Sequence, residues 1–431
     1  MAILTSSKPQ TGISSISLPA IAGFGGMLRW IMALAVLQGA IFTFLMPPWQ
    51  HYDEPNHFEY ALILAHGPDQ DLSRRVADSM YRHRFWPDGF TPDLIGLDFQ
   101  LEGSKQQVHP DTYYRIVASM IAPLRYFPIE LQLYAARSFS FVLYLFTVLI
   151  AWRLAVVAAP DEPQVHFILP ALLIATPSFA DLMTAVNSDV LLNFTAAAGF
   201  LGMAWLIRAG RNPTATALVL LAIAATLLTK RTALMIVIPA VLALLWAFWR
   251  EPISWRVALL GLPAALILPI LIGFQPTTDP MFGVEARPWL RALDQAYLRL
   301  DIDNWLNSLF TQTNPIFYLG LLHLLITSFW ARFSWSQITL GATVDWLVIG
   351  VTLLTLLGIV LRRFQLKPSL LLWQQRWIWL CILAIVCAWI AAILRIHPLP
   401  QDGVPTYMPR GRYMFWTMLP TLWLLAFGWQ G

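Results

Sequence analysis

The residues of this chain that could do chemistry begin with two adjacent acids, Asp53 and Glu54, which follow a proline-rich turn. Pro55 comes next, and because proline suits the first turn of a helix, it predicts a helix from there to about Ala65. A carboxylate held at this point could act as a general base toward a hydroxyl or an amine. The alternative is that both acids are ordinary helix-start residues that the helix dipole stabilises.

A histidine adds a second possibility for the acidic pair. Asp53 and His57 stand at helical spacing and offer two ligands for a divalent cation, which is fewer than a metal site needs. A divalent cation therefore stays open as a cofactor, and no residue is assigned to a metal. Cys381 and Cys387 lie in one apolar stretch and are predicted to be packing residues.

Basic and polar residues later in the chain could bind an anion. Lysine and arginine are the side chains that bind phosphate and carboxylate groups, arginine in a bidentate manner. The amide and carboxylate of the 187–189 turn could either cap a helix or line a site. The candidate binding residues are His57, Asn187, Asp189, Lys230, Arg231, Arg410, Arg412 and Tyr413.

The composition shows what must position these residues. Of the 431 residues, 58% are hydrophobic and only 12% are charged, whereas soluble domains carry about 25% charged residues. The chain is therefore predicted to be an all-α polytopic membrane protein, with the lipid bilayer as its surroundings. Basic residues are scattered, so nucleic acid is not an expected partner, and no nucleotide-binding glycine pattern is present.

Reading for apolar runs of about 20 residues predicts about ten transmembrane helices. An additional apolar piece, 316–326, is too short to cross and is interpreted as interfacial or re-entrant. The predicted spans are 27–46, 131–152, 166–182, 190–207, 214–229, 232–249, 256–274, 338–361, 377–394 and 413–430.

Positive charge orients these spans, since short cytoplasmic loops are enriched in lysine and arginine. The rule predicts a cytoplasmic N-terminal tail, 1–26, followed by a single membrane domain, 27–431. It places three segments on the extracytoplasmic side: 47–130 with juxtamembrane helices, 275–337, and 395–412. Lys230-Arg231 and Arg410/Arg412 then fall at the outer surface against the rule, where they either reach lipid phosphates or await an anionic ligand.

Several motifs resemble one known family. The run Pro47 to Phe58, Pro-Pro-Trp-Gln-His-Tyr-Asp-Glu-Pro-Asn-His-Phe, looks like the acidic first outer loop of the bacterial membrane family called domain of unknown function 2142. That family is similar to the GT-C class of glycosyltransferases. The resemblance covers nearly the whole chain and includes four further matches in order: Asn187-Ser188-Asp189, Leu228-Thr229-Lys230, Ser328 to Trp335, and Gly411-Arg412-Tyr413.

The resemblance implies a GT-C-like fold and a function. It implies transfer of a sugar, with inversion, from a polyprenyl-phosphate donor to a glycan, lipid or protein acceptor outside the plasma (inner) membrane. By the resemblance, Asp53 is the general base and Glu54 orients the acceptor or Asp53. Lys230, Arg231 and Arg412 would bind the leaving phosphate.

Two other classes of protein stay open. The alternative function is a transporter or flippase for a lipid-linked or anionic solute. Transporters usually hold their polar groups near the bilayer midplane on broken helices, whereas here the polar groups gather at one surface. A structural membrane protein, whose acids and bases are solvated loop ends, is the third possibility.

Overall fold

The structure is a computed structural model, and it places most of the apolar spans and the sequence around the acidic pair. The residues that it describes are 25–67, 70–85, 110–210, 212–248, 315–330, 332–333, 338–339, 341–365, 371–393 and 410–428. The predicted span 256–274 and most of the predicted outer segments 275–337 and 395–412 lie outside these residues.

The described chain is helical and contains helices built to cross a membrane, so the prediction of an all-α membrane protein is confirmed. Four helices are long and apolar enough to span a bilayer, and a bent pair makes five if it is one span. The four are α1 (Gly25–Ala40, continued by a π-helical turn, Ile41–Leu45), α5 (Ile129–Ala158), α8 (Ser188–Ala209) and α13 (Leu372–Ile393).

The bent pair departs from the single span predicted over 166–182. It consists of α6 (Pro163–Ile174) and α7 (Pro177–Thr184), which meet at an angle of 66°. Pro177 lies at the start of α7 and has no N–H to continue the ladder of α6, so the helix breaks there. Ten spans are therefore not established by the described residues.

The structure describes eight further helices. Three of them fall in the predicted first outer segment, 47–130, and one contains the apolar piece 316–326. These helices are α2 (Glu54–His66), α3 (Gln70–Arg82), α4 (Thr112–Ile121), α9 (Pro213–Thr229), α10 (Val237–Phe248), α11 (Pro315–Trp330), α12 (Ala342–Gln365) and α14 (Met418–Gly428). Three 3-10 helices accompany them, Ala122–Leu124, Arg231–Ile236 and Gly411–Thr417, with a hairpin of β1 (Arg332–Phe333) and β2 (Ile338–Thr339).

Helix α8 lies at the centre of the described bundle. In the most apolar 18-residue stretch of α8, 72% of the residues are buried. The corresponding share for α1, at the edge of the bundle, is 22%. A close approach to α9 is possible because Gly202 has no side chain, and a Cβ there would lie 2.9 Å from Val219. Ser188 and Asp189 begin this central helix, so polar groups at its first turn are held by a largely buried element.

Candidate functional site

Asp53 stands at the boundary of α2, where the sequence predicted a helix start. The helix begins at Glu54 with Pro55 in its first turn, so that prediction is confirmed. Asp53 is the preceding residue and adopts a left-handed backbone conformation, with φ of 56°, which is uncommon for a residue other than glycine. Its carboxylate is not used as a cap. Instead it accepts a hydrogen bond from Nη2 of Arg412 at 2.5 Å.

Glu54 points elsewhere, into a fully buried ion pair with Arg137 of α5. The guanidinium donates from Nε and Nη2 to the two carboxylate oxygens at 2.8 and 2.6 Å, and both side chains are fully buried. Burial raises the pKa of Glu54, but the Arg137 charge and hydrogen bonds outweigh it and leave the pKa below its usual value. Glu54 is therefore an ionised residue whose oxygens bind Arg137 and the backbone of Trp49 and Val186.

Arg137 ties this ion pair to the end of the first span. Besides Glu54 it donates to the backbone carbonyls of Thr43, Met46 and Pro47, at 2.8 to 3.2 Å. A single guanidinium thus holds together α5, the end of the π-helical turn and the start of α2. The turn that carries Asp53 is positioned by this contact.

A second ion pair lies at the start of α8. Asn187 caps the helix by accepting a hydrogen bond from the backbone N–H of Asp189 at 2.9 Å. Lys230 ends α9 and donates from Nζ to the Asp189 carboxylate at 2.5 Å, with both side chains more than nine-tenths buried. A buried pair of this kind persists only when both charges stay matched.

His57 lies on α2, in the electrostatic field of Lys230, Arg412 and Asp189. Its Nδ1 is 2.7 Å from the hydroxyl of Tyr114, and the two rings are stacked. Burial lowers the pKa of His57 well below its usual value, and the two nearby cations lower it further. The ring is therefore a neutral imidazole, able to donate from one nitrogen and accept at the other.

Arg412 is positioned by the glycine that precedes it. The N–H of Gly411 donates to Ser328 of α11 at 2.8 Å, and a Cβ on this glycine would collide with the backbone of Phe329. The guanidinium lies over the ring of Tyr52 at 3.9 Å and beside that of Tyr413 at 5.1 Å. Cation–π contact of this kind favours the charged form of an arginine.

The pair Asp53–Arg412 and the pair Asp189–Lys230 belong to one polar cluster. Asn187 donates from Nδ2 to the carbonyl of Tyr52, the residue before Asp53, at 3.2 Å. Asp189 lies close enough to Arg412 for the two charges to interact. We name this group the polar cluster; its members are Tyr52, Asp53, His57, Asn187, Asp189, Lys230, Arg412 and Tyr413.

No family model matches the sequence, and no curated protein or solved structure matches it either.

Three of the residues predicted for the site are not among the members of the polar cluster. Glu54 faces Arg137 on the other side of the turn. Arg231 starts the 3-10 helix after Lys230, and its side chain lies outside the described residues. Arg410 is half-buried, and its carbonyl accepts a hydrogen bond from the N–H of Tyr413.

The pairing of Asp53 with His57 for a metal is not favoured by the geometry. Asp53 binds Arg412, and Nδ1 of His57 faces the Tyr114 hydroxyl. Among the residues that the structure describes, no group of three or more His, Cys, Asp or Glu side chains could hold a metal ion. The ligand set for a divalent cation is thus incomplete within that part of the chain.

Sequence reasoning missed residues that organise the site. Arg137 could have been singled out from the sequence, because an arginine inside an apolar helix needs a charged or polar partner. Tyr52 was also missed, and its adjacency to Asp53 was the only hint. Asp181 of α7 was missed as well. Its carboxylate lies 2.6 Å from Nδ1 of His51, and both side chains are buried.

Proposed function

We propose that this protein is a membrane glycosyltransferase that moves a sugar from a polyprenyl-phosphate donor to an acceptor. The observation that carries the proposal is the contact between Asp53 and Arg412, a partly exposed carboxylate beside an arginine two of whose nitrogens have no hydrogen-bond partner among the described residues. A general base and an anion-binding cation at one point are what such a transfer needs. The proposal includes the GT-C-like fold with about ten spans that the resemblance implies.

The reaction would proceed in one displacement. The acceptor hydroxyl loses its proton to Asp53, and its oxygen forms a bond to the anomeric carbon from the face opposite the donor phosphate. The bond between that carbon and the phosphate oxygen breaks, and the phosphate leaves with the electron pair. Arg412 and Lys230 balance the charge that grows on the phosphate, which is the group whose stabilisation lowers the barrier most directly.

The remaining members of the polar cluster have supporting roles in this proposal. Neutral His57 can hydrogen-bond to sugar hydroxyls without adding charge to the site. Tyr413 is also within reach of the ligand, since its hydroxyl accepts a hydrogen bond from Arg412 at 3.3 Å. Asn187 and Asp189 hold Lys230 and the Tyr52 backbone in place. Glu54, through Arg137, positions the turn of Asp53.

The proposal also fixes a location. The charge rule for short loops predicts that the N-terminus is cytoplasmic and that the polar cluster opens on the extracytoplasmic side of the plasma (inner) membrane. Acceptors there would be glycans, lipids or proteins of the cell envelope. A membrane-impermeant thiol reagent applied to intact cells should label Tyr52→Cys, whereas Asp161→Cys in the predicted inner loop should react only after lysis. The reverse pattern would refute the sidedness.

The activity test uses the purified full chain in lipid nanodiscs with synthetic polyprenyl-monophosphate sugars and a labelled acceptor mixture, with and without chelator. The unsubstituted protein should release polyprenyl phosphate and label the acceptor. Asp53→Asn should lower the rate about 10²- to 10⁴-fold, which is the usual worth of general-base assistance. Full activity in that variant would remove Asp53 from the mechanism.

One observation favours the second candidate, a transporter or flippase. The helices α6 and α7 are bent by 66° and form a broken span if they cross the membrane as one, and broken helices form the binding sites of many transporters. The acid on this pair, Asp181, is bound to His51 rather than to the polar cluster. Movement of labelled polyprenyl-phosphate sugar across a vesicle membrane, without release of the sugar, would favour this function over the transferase.

A further inference from the structure

Arg412 has hydrogen-bonding capacity that the described part of the protein does not use. Its Nη2 donates to Asp53 and to the Tyr413 hydroxyl. Its Nε and Nη1 are buried and have no hydrogen-bond partner among the residues that the structure describes. Burying such donors without a partner is costly, and the planar fork of arginine suits a phosphate oxygen pair.

Charge in the polar cluster is balanced as the structure stands. Asp53 neutralises Arg412, and Asp189 neutralises Lys230 at the start of α8. An anion that enters this cluster therefore meets no excess of positive charge unless one carboxylate moves away. One carboxylate oxygen of Asp53 already occupies Nη2 of the guanidinium, where a phosphate oxygen would bind.

Of the two acids, Asp53 is the one that can move. Its side chain is 27% exposed, whereas Asp189 is 6% exposed and lies in the first turn of the central helix. Asp53 also has a left-handed backbone and makes no capping hydrogen bond that would be lost. Its carboxylate can thus leave Arg412 for water without becoming a buried unpaired charge, which would be strongly disfavoured.

We propose that Asp53 is an internal competitor for the phosphate site of Arg412, and that the phosphate group of a ligand displaces it. This inference rests on the proposed function, in which the phosphate belongs to a polyprenyl lipid. Binding of the phosphate moves the carboxylate off the guanidinium and makes it available as a base. No bond to carbon forms or breaks in this step; one ion pair replaces another.

Ligand affinity tests this exchange without any need for turnover. Dissociation constants are measured for farnesyl phosphate and for inorganic phosphate, with the full chain in zwitterionic nanodiscs and tryptophan fluorescence as the signal. Asp53→Asn should bind farnesyl phosphate about two- to fivefold more tightly than the unsubstituted protein, because the competitor has lost its charge. Arg412→Gln should abolish the binding.

Asp111→Asn is the matched control. Asp111 also pairs with an arginine, Arg115 at 2.7 Å, and its side chain is 28% exposed, close to the 27% of Asp53. The control changes the net charge by the same amount and should leave the affinity unchanged. Equal affinities in the unsubstituted protein and Asp53→Asn, or equal tightening in the control, would overturn the exchange.

The two phosphates separate the sources of the anion. Tighter binding of farnesyl phosphate than of inorganic phosphate assigns the site to a lipid headgroup, and equal binding would overturn that assignment. Tightening in Asp53→Asn without any sugar transfer by the unsubstituted protein would support the exchange and remove the proposed function. Sugar transfer with an unchanged affinity in Asp53→Asn would do the opposite.

Discussion

The carboxylate of Asp53 lies 2.5 Å from Nη2 of Arg412, although the two residues are 359 positions apart in the chain. The first follows the end of the first span, and the second precedes the last described helix. A contact between them requires the end of the first span and the start of the last described helix to meet at one surface of the bundle. It brings an acid and a cation together where a ligand can reach the partly exposed carboxylate.

Neutral substitution of the two adjacent acids should affect the stability of the protein to very different extents. Asp53→Asn should stay folded, because its ion pair is partly exposed and worth about 1 kcal/mol or less. Glu54→Gln leaves Arg137 buried without its counter-charge and should lower the free energy of unfolding by about 3–5 kcal/mol. Thermal unfolding of the purified variants, followed by size-exclusion chromatography, checks this. Similar melting temperatures for both variants would contradict the assignment of Glu54 to Arg137.

Arg137 and Glu54 should also be coupled. Arg137→Met alone leaves the Glu54 carboxylate buried without a counter-charge and should destabilise the protein by about 3–5 kcal/mol. Adding Glu54→Leu removes the second charge as well and should restore much of that loss. A double-mutant cycle in thermal stability measures the coupling. Losses that simply add would mean that the two side chains act independently, against the two hydrogen bonds between them.

Much of this arrangement follows from the sequence, and part of it does not. Pro55 indicated the start of α2, and apolar length indicated α1, α5, α8 and α13, because helix starts and membrane thickness are local constraints. The partner of Glu54 could not be predicted in the same way. That partner is 83 residues away, and only the packing of α5 against the first span decides it.

The break between α6 and α7 shows a second limit. The sequence contains one apolar run over 166–182, and hydropathy does not show that the chain bends by 66° within it. Pro177 was the available signal, but proline inside a span often only kinks it. The actual direction of α7 depends on what it packs against, including α11, where the carbonyl of Phe329 accepts a hydrogen bond from the hydroxyl of Ser178 at 2.5 Å.

Gly411→Ala should disturb both stability and activity. The added methyl group would collide with the backbone of Phe329, which cannot move as a side-chain end can. We expect a loss of about 1–3 kcal/mol in unfolding free energy, typical of overpacking, and weaker phosphate binding because Arg412 is displaced. Gly350→Ala is the control, since a Cβ there meets nothing within 4 Å. Equal behaviour of the two variants would contradict the close approach.

Stability should depend on pH through His57. Its pKa lies well below 6.5 in the folded protein, so the unfolded chain binds more protons as the pH falls. The contribution of His57 is therefore complete above pH 6.5 and is lost progressively below it. Melting temperatures at intervals between pH 7.5 and about 5 should fall less in His57→Gln than in the unsubstituted protein.

The control for this pH dependence is His83→Gln, since the side chain of His83 is 34% exposed. It should show the same pH dependence as the unsubstituted protein. Identical profiles for all three proteins would mean that burial at His57 does not couple protonation to folding.

Glu54 affects stability at lower pH than His57 does. Its pKa is below 4.5, so its contribution to stability is lost only as the pH falls beneath that value.

The most direct test of the central claim is a double-mutant cycle in the initial rate of sugar transfer, with Asp53→Asn, Arg412→Lys and the combination. If the two residues act as one catalytic unit, each single change removes most of the rate and the combination is hardly worse than either. Rates that fall multiplicatively, or a single variant that retains the full rate, would contradict the account.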